Sequence, residues 1–169
     1  IPAGDVTHPT VTGDAAQSSN LAPDAMLNVT AKDTTFNSGT GLVLDVQADP
    51  ADPSTNSAVK LNADNSILNG SLVSNSTQNT SNVLLSNNSI LTGYIQNISS
   101  IELDSTSNWN LTANSDVQSL TNNGTITFSA PTSGDYKTLT VNGNYAGNGG
   151  TLVMNSLLSD DNSPTDKLI

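Results

Sequence analysis

The stretch Asn65-Ser66-Ile67-Leu68-Asn69-Gly70, NSILNG, returns twenty-three residues later as NSILTG at Asn88 to Gly93. Twenty residues after Asn88, Asn108-Trp109-Asn110-Leu111 opens a third version, NWNLTA. The series starts further upstream with LNVTAKDTTFNSGTGLVLDV at 27–46, whose Asp33 aligns with Asp64 at an interval of 31. Taking out the eight residues ADPADPST at 48–55 restores the interval of 23, so that stretch reads as a loop inserted between strands. The remaining units run 57–79, 80–100, 101–123 and 124–150, with a partial unit from Thr151.

A period of about 20 to 25 residues, built from short Val, Ile and Leu clusters separated by Asn, Gly and Ser turns, fits a parallel β-solenoid. Leucine-rich repeats share the period but need a helical segment, and no window here carries an i, i+4, i+7 apolar stripe. A β-sandwich accounts for the strands but not for the rewriting of one phrase. Disorder is opposed by the regular spacing of Leu42-Val43-Leu44, Val83-Leu84-Leu85 and Thr125-Ile126-Thr127-Phe128. The expected fold is all-β, roughly seven coils of about 20–25 residues. Counterparts one coil apart stack about 4.8 Å away. On that spacing Ile67 sits over Ile90, and Leu68 over Leu91 and Leu111, as ladders inside the tube. Asn65, Asn88 and Asn108 stack at a turn. Asparagine tolerates the left-handed backbone there and links amide to amide along the stack.

The 169 residues include 23 Asn, 23 Ser and 21 Thr, and a ladder fold makes that composition a structural requirement. Fifteen acids against four lysines, with no arginine, give a net charge of -11. This opposes binding to nucleic acid phosphates and to anionic lipid headgroups. The absence of cysteine disfavours a disulfide-stapled secreted domain. Residues 1–25, with three prolines, form a poorly patterned N-terminal segment ahead of coils at 26–137. Ile1 in place of Met, and a last stretch Asp166-Lys167-Leu168-Ile169 that reads as mid-strand, raise the expectation of a piece excised from a longer chain.

Two blocks carry a family likeness: STSNWNLTANSDVQSLTNNGTITF at 105–128, and TLTVNGNYAGNGGTLVMNSLLSDDNSPTDKLI from 138. They resemble the end of the passenger domain of bacterial type V autotransporters of the antigen 43-like, diffuse-adherence kind. The matching positions are Trp109 and Leu111; Ser115, Val117 and Leu120; Asn122, Gly124, Thr125 and Ile126. The second block supplies Leu139, Val141, Gly143, Asn144 and Tyr145, then Gly149, Gly150, Asp166 and Leu168. The resemblance implies a right-handed parallel β-helix outside the cell, exported through the chain's own C-terminal outer-membrane barrel, with 138–169 as the start of an autochaperone-like cap. It also implies adhesion, self-association or biofilm formation. The partner would be another copy on a neighbouring cell or a host surface ligand, with no direct membrane contact.

For catalysis the residues offer little. Serine-type chemistry needs a histidine, and the one present is His8, beside Pro9 in the poorly patterned segment. On β-helices, polysaccharide lyases need calcium-binding acids with an arginine or lysine base and hydrolases need a carboxylate cluster; here there is no arginine, and only Asp33 and Asp64 align, at positions that read as exposed turns. The acidic stretches DPADP at 49–53 and SDDNSPTD at 159–166 lack the spacing of calcium loops and read as solvated. GNYAGNGG at 143–150 reads as tight turns and not as a dinucleotide loop. Eight Asn-x-Ser/Thr sequons follow from composition. Trp109 is expected to pack at a coil corner near the cap, with exposure as a sugar or partner anchor as the alternative for it and Tyr145. No catalytic residue, cofactor or metal site is expected.

Overall fold

The computed structural model describes residues 26–48 and 56–169. The segment 1–25 with His8, and the acidic stretch 49–53, lie outside the described residues. What is described is a parallel β-helix with two stacked sheets and, among the described residues, no helix. The first sheet stacks β1 (Leu27–Lys32), β3 (Ala58–Asp64), β5 (Thr80–Ser86), β8 (Ile98–Leu103), β10 (Ser115–Asn122), β12 (Thr138–Ala146) and β14 (Lys167–Leu168). The second stacks β2 (Thr35–Val46), β4 (Ile67–Ser74), β6 (Ile90–Gly93), β9 (Asn108–Leu111), β11 (Thr125–Phe128) and β13 (Thr151–Val153). A short strand β7 (Ile95–Gln96) continues β6 past a bend and pairs with β4. Among the described residues all strand pairs are parallel, so each coil is one strand of each sheet plus its turns.

Alternation along each strand decides what enters the core. Phe36, Leu68, Leu91, Trp109, Ile126 and Leu152 form one inward ladder of the second sheet. Val29, Leu61, Val83, Ile101 and Leu120 form its counterpart on the first. Leu68, Leu91, Trp109, Ile126, Ile101 and Leu120 are at most 1% exposed. Leu68 therefore sits over Leu91 and then Trp109; Leu111, expected in that ladder, pairs instead with Gly93. The step from Ile67 to Ile90 is 23 residues, but the step from Ile90 to Asn108 is 18. The third copy was thus read two residues out of register, and the unit 101–123 is replaced by coils beginning at Ile98 and Ser115. A slip of two preserves inward and outward faces, which is why the fold survives the misreading.

Ile67 and Ile90 are the second correction. Adjacent to inward Leu68 and Leu91 they must face outward; Ile67 is 38% exposed and Ile90 half-buried. Asn65 and Asn88 do occupy turns, with φ of 47° and 67°, whereas Asn108 lies within β9. Trp109 lies mid-strand in the core, not at a corner. It is 0% exposed, and its indole N–H donates to the Gly93 carbonyl at 3.0 Å.

The corner between the sheets is built from a signal the repeats contained but apolar spacing overlooks. Ser66, Ser89 and Ser107 stack in the interior, each at most 1% exposed. The Ser66 hydroxyl accepts from Thr34 N–H at 3.2 Å, Ser89 from Ser66 N–H at 3.1 Å, and Ser107 from Ser89 N–H at 3.2 Å. Corner amides that no strand partner can reach are satisfied this way. The stack ends at Gly124, where a Cβ would lie 2.3 Å from the Ser107 carbonyl oxygen, so the close backbone approach there excludes any side chain.

Candidate functional site

Two surfaces and one buried cluster carry the chemistry. The first surface is the outer face of the second sheet before its bend. It presents Thr35 and Asn37, Ile67 and Asn69, Ile90 and Thr92, Asn108 and Asn110, Thr125 and Thr127, and Thr151 and Val153 on successive coils. None is charged, in a chain with a net charge of -11. Amides and hydroxyls link along it: Asn69 donates to Asn37 Oδ1 at 2.7 Å and Asn110 to Thr92 Oγ1 at 3.3 Å. The outer face of the first sheet differs, carrying Lys32, Lys60, Asp64, Glu102 and Asp116.

The aspartate pair does not exist. Asp64 is the register partner of Lys32, with Nζ to Oδ2 at 3.9 Å, while Asp33 continues to Asn65, whose amide donates to Asp33 Oδ1 at 2.8 Å. Sequence alignment at 31 was one residue short of the 32-residue step between β1 and β3. One residue matters here, because it turns a pair of like charges into an ion pair and a hydrogen bond from an amide. Among the described residues no three His, Cys, Asp or Glu side chains group together.

The turn before β9 is organised by Asp104. Its carboxylate accepts from Asn87 N–H at 2.7 Å, Ser107 Oγ at 2.8 Å, Thr106 Oγ1 at 2.8 Å and Thr106 N–H at 3.0 Å. Burial pushes the carboxyl up, but the hydrogen bonds outweigh it, led by Asn87 N–H, and hold it at about 2 against an ordinary 3.8. A depressed folded-state pKa contributes stability that is present above pH 3.8 and lost as pH falls toward 2. Circular dichroism melts between about pH 5 and 2 should show a falling midpoint. Asp104→Asn should flatten that fall only in part, because Asp166 titrates in the same sense.

Asp166 is the buried cluster. The stretch 159–166 reads as solvated, yet its last residue is 2% exposed. Its Oδ1 accepts from Lys137 N–H at 2.7 Å; its Oδ2 accepts from Asn155 N–H and from the Asn155 amide, both at 2.7 Å. Lys137, 8% exposed, donates its ammonium to the Ser129 carbonyl at 2.8 Å. Asn155 reaches back to the Phe128 and Ser129 carbonyls at 3.1 and 3.2 Å. Burial opposes ionisation of Asp166, but the Lys137 and Asn155 donors and the Lys137 charge together lower its pKa. One carboxylate thus ties β12's entry, the chain after β13 and the end of β11 into a clasp. The preceding acidic residues fold on themselves instead, with Ser163 Oγ accepting from Ser159 and Asp160 N–H at 3.0 and 2.8 Å.

The other family-like positions divide between core and surface. Leu111, Val117, Leu120, Ile126 and Leu139 are fully buried, Val141 and Leu168 pack partly against them, and Asn122 stacks inward on Leu103. Gly143 sits at a bulge, where the step from β10 to β12 changes between Val117↔Val141 and Ser119↔Asn144, and a Cβ there would meet Gln118 at 2.6 Å. Gly150 likewise approaches the Asn122 carbonyl, and Tyr145 is 42% exposed.

Residues 115–169, from β10 through the clasp, match the family model described as Autochaperone Domain Type 1. The match supports an autotransporter passenger region and, with it, export to the cell surface. The chain is 43% identical over 53 residues to the uncharacterized protein YuaQ of Escherichia coli (strain K12), covering 31% of this chain and 4% of that protein. It is 63% identical over 30 residues to the uncharacterized protein YdeU of the same strain, covering 18% of this chain and 6% of that protein. The chain therefore spans a small fraction of the length of these relatives. No solved structure matches it.

Proposed function

We propose that this chain is a non-enzymatic coil stack near the C-terminal end of an autotransporter passenger, supporting adhesion or self-association between cells. The single observation behind this reading is the uncharged ladder of Asn, Thr and Ile on the outer face of the second sheet. Two copies with a net charge of -11 each repel, and a face without charges is where they meet at least electrostatic cost. Each hydrogen bond across such a pairing contributes only about 0.5–1.5 kcal/mol. Many of them, repeated over two cell surfaces, add up through avidity. The test is a settling assay of bacteria displaying the full-length protein. A triple variant Asn69→Asp, Thr92→Asp and Asn110→Asp is expected to slow settling several-fold, while Asn82→Asp and Ser100→Asp on the first sheet leave it unchanged. Equal settling of all strains would remove the pairing face from this segment.

A second reading, scaffold and folding nucleus for passenger coils elsewhere in the protein, is favoured by one specific observation: the clasp at Asp166 lies inside the matched residues 115–169.

A further inference from the structure

Where the second sheet's bend meets the first sheet, a groove of about 530 Å³ runs across coils, lined by Tyr94, Gln96, Asn114, Asp116, Thr138 and Thr140 among others. Asp116 and Thr140 are register partners on adjacent strands, so the polar groups recur at the coil spacing of about 4.8 Å. Two of them are half engaged. Asn114 uses its carbonyl oxygen to accept from Thr138 N–H at 2.9 Å, and its amide NH2 has no partner among the described residues. Asp116 uses Oδ2 to accept from Asn97 N–H at 2.9 Å, and Oδ1 has none among the described residues. Each side chain is fixed by the backbone on one side and offers a donor or an acceptor on the other, an arrangement that needs little reordering to bind. Tyr94, half-buried beside them, supplies an aromatic face.

We propose that this groove binds a neutral saccharide chain, a sugar ring packing on Tyr94 while its hydroxyls take a hydrogen bond from Asn114 Nδ2 and give one to Asp116 Oδ1. A hydroxyl both donates and accepts, which is the pairing those two free groups call for. The apolar C–H face of a pyranose matches an aromatic ring with a polar rim. Charge selects the class: no lysine lines the groove, the chain has no arginine, and Asp116 repels uronic, sialic and sulfated sugars. Lys167, which pairs in register with Thr138, is not in the lining.

The test is saturation-transfer NMR on the full chain with chitotetraose, maltotetraose and a galactose tetramer, and with a galacturonate tetramer as the anionic control. At least one neutral tetramer is expected to bind, with its Kd raised about tenfold by Tyr94→Ala. Asn114→Asp keeps an oxygen for Thr138 N–H but exchanges the donor for an acceptor and adds a negative charge near Asp116; it should weaken binding several-fold. No neutral tetramer bound at millimolar concentration overturns the proposal, as does binding indifferent to Tyr94→Ala and Asn114→Asp, or a preference for the uronate. Settling through the uncharged face is a separate result, since that face uses none of these six residues.

Discussion

Replacing Trp109 with alanine is expected to lower the unfolding free energy by about 3–5 kcal/mol, the usual cost of emptying a fully buried aromatic site. The indole is stacked between Leu91 and Ile126 and has no exposed surface. A parallel stack cannot collapse into such a void, because strands one coil away hold each rung at a fixed spacing. Denaturant unfolding checks the magnitude. In a structure where each coil touches only its neighbours, the loss is local as well as large. Hydrogen exchange should therefore rise first in β6, β9 and β11, with β1 and β3 protected as before. Uniform acceleration along the rod would contradict the nearest-neighbour picture.

Asp166→Ala is expected to cost about 3–5 kcal/mol, since it removes a buried carboxylate and leaves the Lys137 and Asn155 backbone N–H groups unpaired. Lys137 N–H, Asn155 N–H and the Asn155 amide lose their acceptor together, and the Lys137 ammonium loses its counter-charge while remaining on the Ser129 and Ala130 carbonyls. Asp166→Asn keeps the size but turns part of the acceptor set into a donor facing donors, so it should rescue little. Limited proteolysis of the displayed full-length protein is the readout. Loss of resistance across the passenger favours the folding-nucleus reading, because damage at one clasp then spreads beyond it. Loss confined to residues after 128, with settling intact, favours direct adhesion.

Much of this architecture could be read from the repeats, and the errors have a common origin. NSILNG and NSILTG are true register partners, Ile67 on Ile90 and Leu68 on Leu91. Apolar identity alone, however, placed both members of an Ile-Leu pair inside, which no strand permits; Ser66 and Leu68 are the inward residues, and the serine was the overlooked signal. The 18-residue coil hid the partnership of Leu91 with Trp109, because aligning NSIL with NWNL matches letters and not turns. Asp33 and Asp64 failed by a single residue for the same reason. Asp166 failed differently: its neighbours in sequence are exposed acids, and only the three-dimensional return of the chain to Lys137 and Asn155 buries it. The uncharged outer face and the half-engaged groove are patterns across coils, so they are visible only once the register is known.

The corner serines give the rod a grammar of permissible change. Coil steps of 32, 23 and 18 residues coexist along the second sheet, yet Thr34, Ser66, Ser89 and Ser107 still meet at one corner. Length is therefore negotiable in the turns, while the hydroxyl at the corner resets the count before β4, β6 and β9 begin. A lineage of such chains can gain or lose residues coil by coil and rewrite every outward letter, provided the reset is kept. New surfaces can then be tried without the interior having to be solved again.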